Sequence, residues 1–435
     1  MRNRTSLLLG CLIAVSATLY LPACLKDKVN ESYGHDSLSV TYKISTPIYT
    51  PKSTVLASIN GSATQPILQP GQLYIKGSYI YLNDVNEGIH VIDNSDPANP
   101  VQKAFLTIPG NRDIAIRGNI LYADMYSDLL AIDISDPGAA KIKSILWDAF
   151  PFRSSSADTN MVATSWNIHD TTFKEKAYGD PLGQQFYAVP GTDFYTLDAA
   201  TATAAANSNT SGKNISTTGT AGSEAAMTLV GDYLYTIPES HSLSVINVSD
   251  PNELSLVRTV MMAGLDLETV FPMEDKLLLG SMEGVYVYSI ADPTQPVQLG
   301  EFAHGKACDP VIADSGFAYV TLHDGTYCGA SDNELDIVSA QDLTSTTLLK
   351  SYPMNGPSGL GKDGSILFVC DGQVVKVFNA ADPLNLQALT QVSVPNAYDL
   401  IAANHLLLVV STGGLYEFDY SDPRNINPLG HLSVN

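Results

Sequence analysis

Short apolar runs broken by polar turns recur along most of the chain, and none has a helical period. The stretch GIHVIDNSDPANPVQ at 88–102 is representative: an apolar strand, an Asp-Pro turn, then the start of another strand. Nearly the same phrase returns as LLAIDISDPGAAKIK, LSVINVSDPNELSLV, VYVYSIADPTQPVQL, VVKVFNAADPLNLQA and LYEFDYSDPRNINPL. Aligning the turns at Asp96, Asp136, Asp250, Asp292, Asp382 and Asp422, with a degenerate Asp342-Leu343, gives spacings of 40, 114, 42, 50, 40 and 40 residues. A repeat of about 40 residues suits four short strands and their turns. Second strands are expected to begin near Tyr79, Ile120, Tyr233, Leu277, Phe317, Ile366 and Leu406. The predicted fold is therefore all-β, a β-propeller of about seven four-stranded blades.

The turn has a mechanism. Three residues before each turn aspartate stand Asp93, Asp133, Asn247, Ser289, Ser339, Asn379 and Asp419, all able to accept a hydrogen bond from a nearby backbone N–H. Proline then fixes φ and offers no donor, which stops the third strand.

The units resemble LVIVD repeats, named for an apolar third strand ending in Asp; IHVID, LLAID and LSVIN fit best. LYADMYSDLLAIDISDP, CDPVIADSGFAYVTL and NAYDLIAANHLLLVV are similar to the exported LVIVD-repeat lipoproteins common in Bacteroidetes. That resemblance implies a propeller in the cell envelope and leaves the activity open.

The 114-residue spacing places an insertion at about 150–225, between the second and third repeats. Its first part could hold a hairpin about Pro190-Gly191, or a degenerate eighth blade. The later run TATAAANSNTSGKNISTTGTAGSEAA has almost no bulky residues and reads as a mobile loop. Because it joins a fourth strand to a first strand, the insertion should cover the face opposite the Asp-Pro turns.

Ahead of the repeats, Arg2 and Arg4 precede the apolar run LLLGCLIAVSATLYL, the layout of a signal peptide at 1–23. Leu21-Pro22-Ala23-Cys24 resembles a bacterial lipobox, so Cys24 is the expected lipidation site and the N-terminal lipid the expected membrane attachment. Residues 24–60 read as a tether and N-terminal arm, and 61–435 as the propeller. Location in the outer membrane follows as an expectation, facing either the periplasm or the cell surface.

The mature chain would have 412 residues with 21 basic and 45 acidic side chains, a net charge of −24. That balance argues against a nucleic-acid partner, because phosphate binding needs Lys and Arg to displace counterions. Cys308 and Cys328 fall within one repeat and are the expected disulfide, with Cys370 as the alternative partner.

Candidate chemistry is sparse. Acids recur where first strands begin, at Asp113, Glu268, Asp309 and Asp399. They could converge on a cation such as Ca²⁺ at the channel mouth, or each could accept backbone N–H bonds from nearby loops. HExxH is absent, and GPSGL at 356–360 lacks the second glycine of a nucleophile elbow. His90 reads as a strand-surface residue, and His323, in the cysteine loop, is a candidate binding residue. Two functions follow: a non-enzymatic envelope module binding or scaffolding a protein or glycan, or a hydrolase or lyase whose channel-mouth carboxylates hold a divalent cation.

Overall fold

The computed structural model describes residues 38–61, 63–175, 220–223, 225–262, 265–303, 310–314, 316–324, 333–340 and 347–434. Seven antiparallel sheets follow one another along the chain. Blade 1 spans 70–107, blade 2 114–146, blade 3 227–261, blade 4 267–303, blade 5 311–353, blade 6 357–393 and blade 7 397–433. Second strands start at Tyr79, Ile120, Tyr233, Lys276, Phe317, Ile366 and Leu406, within one residue of expectation throughout.

Neighbouring first strands pack against one another around the ring, and the first strand of blade 7 meets that of blade 1. First strands therefore line the axis. Second and third strands are buried along nearly their whole length, as in Tyr79–Asp84 and Gly88–Asp93. They face a neighbouring blade on both sides, which is why they read as continuous apolar runs. Fourth strands such as Gln387–Ser393 are largely exposed and form the rim. Every blade carries a register shift at the same place between its third and fourth strands, from Val91/Ile92 in blade 1 to Tyr416/Phe418 in blade 7. A bulge there sharpens the twist of the outer strand.

The turn chemistry is double at each described Asp-Pro site. Asp93 accepts from Ser95 N at 3.0 Å and Asp96 from Ala98 N at 3.2 Å. The same pair of i to i+2 bonds recurs at Asp133 and Asp136, Asn247 and Asp250, Ser289 and Asp292, Asn379 and Asp382, and Asp419 and Asp422. The donors hold Asp93, Asp133, Asp250, Asp292 and Asp419 below the usual carboxylate range. These turns therefore stabilise the fold above that range and loosen as acid protonates them.

The ring closes without strand exchange, since the four strands of each blade are consecutive in the chain; blade 1 alone gains a fifth, Thr220–Ala221. Six seams are apolar where a third strand meets the residue after the next blade's third strand. Val91 and Ile134 lie in one cluster with Ala131 and Val248; Val245 shares a cluster with Ile290, Val287 and Ile337 with Ala340 and Ala380, and Val377 with Tyr420. At the closing seam the corresponding residues are Glu417 and Asn94, with Asn94 Nδ2 donating to Glu417 Oε2 at 2.7 Å. Both are buried, and burial pushes Glu417 up to about 7. Beside them lie the parallel bridge of Ile67 with Val434 and the hydrogen bond from Tyr398 to the Pro70 carbonyl.

A small unit, described at 38–45 and 168–175, is separate from the remainder. In its described part the Thr41 and Thr172 hydroxyls meet at 2.9 Å across a two-stranded sheet. That sheet pairs Leu38–Pro51 with Met161–Glu175. Within the large unit, Pro51 leads into the short helix Lys52–Ser58. Pro190-Gly191 lies outside the described residues. So do Cys24, Cys308, Cys328, Asp309 and the signal and tether segments through residue 37.

Candidate functional site

Three of the four acids expected at the channel mouth, Asp113, Glu268 and Asp399, lie among the described residues. Asp399 sits in the first strand of blade 7, at a register shift that turns its side chain inward. Its Oδ1 accepts from Ser223 N at 2.8 Å, Ser223 Oγ at 3.1 Å and its own neighbour Leu400 N at 2.8 Å. Asp113 precedes the first strand of blade 2 and accepts from Ile114 N at 2.7 Å and from the Ala226 backbone N–H. Glu268 is in the first strand of blade 4, half-buried. Among the described residues no three His, Cys, Asp or Glu side chains form a group that could hold a metal ion.

Both aspartates hold the same short segment, the return end of the insertion. Thr220 and Ala221 pair with Ile75 and Tyr74 of blade 1, and Gly222 N donates to Leu73 O at 3.1 Å. Ser223 Oγ accepts from Leu360 N of blade 6 at 2.7 Å. Ala225 O accepts from Val270 N of blade 4 at 3.0 Å, and Ala226 O from Ile237 N of blade 3 at 2.8 Å. With Asp113 and Asp399, six of the seven blades bond to the described residues 220–223, 225 and 226. The segment fills the axial channel. Ser223 and Ala225 are buried, and a Cβ on Gly222 would stand 2.6 Å from the Asp399 carboxyl carbon.

This corrects the expectation that the small-residue run is mobile to its end. Scarcity of apolar bulk normally prevents a segment from ordering itself. Here the order comes from bonds to a preformed ring, and at Gly222 there is no room for a Cβ beside Asp399. Burial pushes Asp399 up to about 7 and Asp113 well above the carboxylate range, the latter with help from nearby Asp124.

A second set of carboxylates went unnoticed in the sequence. Asp84 accepts from Leu68 N and Gln69 N at 2.9 and 2.7 Å, and Asp371 from Asn355 N and Gly356 N at 2.7 and 2.9 Å. Each ends a second strand and ties down the chain entering its own blade's first strand. Asp124 does the same for Arg112 N and Asp113 N at 2.9 and 3.0 Å. Each has a basic partner: His90 at 3.0 Å, Lys376 at 2.5 Å, and Arg153 from the insertion. His90 is thus not a strand-surface residue. It is fully buried between Asp84 and Phe105, whose ring centre lies 4.7 Å away.

On the face bearing the second-to-third-strand loops, the insertion and N-terminal arm build a platform. Lys52 pairs with Asp128 of blade 2 at 2.6 Å and lies 5.2 Å from the Trp147 ring centre. Both tryptophans of the chain are exposed, Trp147 at 53% and Trp166 at 41%, with Phe152 at 74% and Tyr49 and Ile48 also open. Beside them is a cavity of about 210 Å³ lined by Thr50, Thr54, Val55, Ser58, Asn86, Glu87, Thr107, Pro109 and Thr164. His323 directly follows the second strand of blade 5, Phe317–Leu322, on this same face, half-buried. Cys370 is buried in the apolar core of blades 6 and 7.

Among solved structures, a protein from Lactobacillus plantarum is similar at 12% identity and a TM-score of 0.51, covering 84% of this chain and 96% of that one. PorZ, a surface component of the type-IX secretion system of Porphyromonas gingivalis, matches at 13% identity and a TM-score of 0.48, covering 85% of this chain and 38% of that one. BamB from Moraxella catarrhalis matches at 9% identity and 0.43, covering 86% and 97%. At these identities the likeness is one of fold alone. No curated protein matches the sequence. Residues 71–106, 110–146 and 221–262 match the LVIVD repeat model. Blades 1 to 3 are therefore LVIVD repeats, the third beginning in the segment that fills the channel.

Proposed function

We propose that this chain is a non-enzymatic binding or scaffold module of the bacterial cell envelope, anchored by lipid at Cys24. The observation that carries the reading is the set of exposed aromatics Trp147, Phe152 and Trp166. Large aromatic side chains left open on one rigid face mark an interaction surface. The outgoing end of the insertion is held to blade 2, with Phe150 N donating to Ser127 O at 2.9 Å and Asp148 N to Asp128 at 3.2 Å. Asp113 and Asp399 each bond the axial segment, and the bonds that Asp399 makes to Ser223 all go to its Oδ1.

The test is crosslinking in intact envelopes followed by capture of the chain. A partner recovered with the native chain and lost with the Trp147→Ser/Phe152→Ser double variant supports the module. The same partners at the same yield from both would contradict it. Cys24→Ala is expected to move the chain from the membrane fraction to the soluble fraction, and an unchanged distribution would remove the lipid anchor.

The same envelope setting leads to a thiol count. We propose the disulfide Cys308–Cys328, with Cys370 a buried thiol of the apolar core. Denatured mature chain should then show one reactive thiol, rising to three after reduction, since lipidated Cys24 does not react. Three thiols before reduction would rule the bridge out.

A further inference from the structure

The cavity beside the aromatic platform has a chemistry of its own. Five of its nine lining residues carry hydroxyls: Thr50, Thr54, Ser58, Thr107 and Thr164. Thr50 and Thr164 meet at 2.8 Å, and Ser58 donates to Val55 O at 2.7 Å, so each keeps further hydrogen-bonding capacity. The carboxylate of Glu87 and the hydroxyls of Thr54 and Thr107 take no side-chain hydrogen bond from a described residue. Such a floor suits a ligand rich in hydroxyls.

The rim adds the complementary part. Thr50 and Thr164 face each other and both line the cavity. Side chains two residues along a strand share a face, about 6.6 Å apart. Ile48 and Trp166 therefore continue the cavity outward on the same side, both exposed. A polar pocket with an open indole one step away matches a molecule whose edges carry hydroxyls and whose faces are apolar. At about 210 Å³ the cavity is smaller than the ~300–1,000 Å³ of drug-sized sites. It has room for a single ring with the next one outside.

We propose that this cavity binds a neutral pyranose oligosaccharide, one sugar ring among Thr54, Asn86, Glu87 and Thr107 and its neighbour stacked on Trp166. Neutrality follows from Glu87 and from the acidic chain, net −22 over its full sequence, which repel uronic acids. The inference rests on reading this face as the binding surface and names a ligand class for it.

The test uses tryptophan fluorescence, because Trp147 and Trp166 are the only two indoles. In a Trp147→Phe background, maltotetraose, cellotetraose, chitotetraose and tetragalacturonate are titrated to millimolar concentration. A saturable change with at least one neutral tetrasaccharide and none with tetragalacturonate is expected. Glu87→Gln or Thr54→Val, both exposed positions, should weaken it about tenfold, and Trp166→Ala should weaken calorimetric binding by at least as much. No saturable response to any of the three neutral sugars, or tighter binding of tetragalacturonate, would overturn the proposal. Silence toward sugars while the crosslinked partner is still lost with Trp147→Ser/Phe152→Ser overturns the saccharide alone. Silence with no such loss overturns the binding face as well.

Discussion

Gly222→Ala is expected to lower the free energy of unfolding by about 3 kcal/mol, with Gly222→Val costing more. The new Cβ would stand 2.6 Å from the carboxyl carbon of Asp399. That carboxylate cannot step aside, because Ser223 and Leu400 hold its Oδ1 on one side and buried surroundings enclose it on the other. Displacing residues 220–226 would strip bonds from six blades together, so the loss is global. Gly356→Ala is the matched control: nothing lies within 4 Å of its Cβ direction, and a change within about 0.5 kcal/mol is expected. Urea midpoints of the two variants check the pair. Equal midpoints would mean that the axial segment does not support the ring.

The second large effect is a dependence on pH that runs against the usual acid denaturation. Burial pushes Glu417 and Asp399 up to about 7, from unfolded values near 4. Below their unfolded values both carboxyls are neutral in either state, and their sites are at full strength. As pH rises through about 7 the folded chain must ionise groups that the unfolded chain ionises far more easily, and stability is lost. Each group accounts for about 3 to 4 kcal/mol above pH 7. The exposed turn aspartates act in the opposite sense, so maximal stability is expected in mildly acid solution.

Glu417 allows the effect to be isolated. One oxygen of Glu417 and one of Asn94 are buried without a hydrogen-bond partner among the described residues. The double substitution Asn94→Ile/Glu417→Val gives the closing seam the residues of the first seam, Ile134 and Val91. It is expected to gain about 2 to 3 kcal/mol at pH 8 and much less at pH 5. An equal gain at both values would show that ionisation of Glu417 is not the cause, and no gain would show that the polar seam carries no cost.

How much of this was legible depended on whether a feature repeats. Blade number, strand starts and the paired Asx turns were readable because Asp93-x-x-Asp96 and its equivalents recur with the period of the fold. The closing seam was readable in principle, since Glu417 and Asn94 stand in columns otherwise apolar, but only an alignment of the seven units shows the contrast. Asp84 and Asp371 share a column that holds Ser281 and Ser411 in blades 4 and 7, and Asp124 stands one place earlier in its strand, so no acidic repeat announces them. The axial segment was misread for a physical reason. Small residues signal disorder when a chain must order itself, and fit when a ring of strands already supplies the partners.

Hydrogen–deuterium exchange over 220–226 tests the central claim most directly. The account predicts that the backbone amides of Gly222 and Ser223 exchange as slowly as those of the first strands, Val270 and Leu360 included. Exchange of 220–226 at the rate of an unstructured chain, with the first strands still protected, would contradict it.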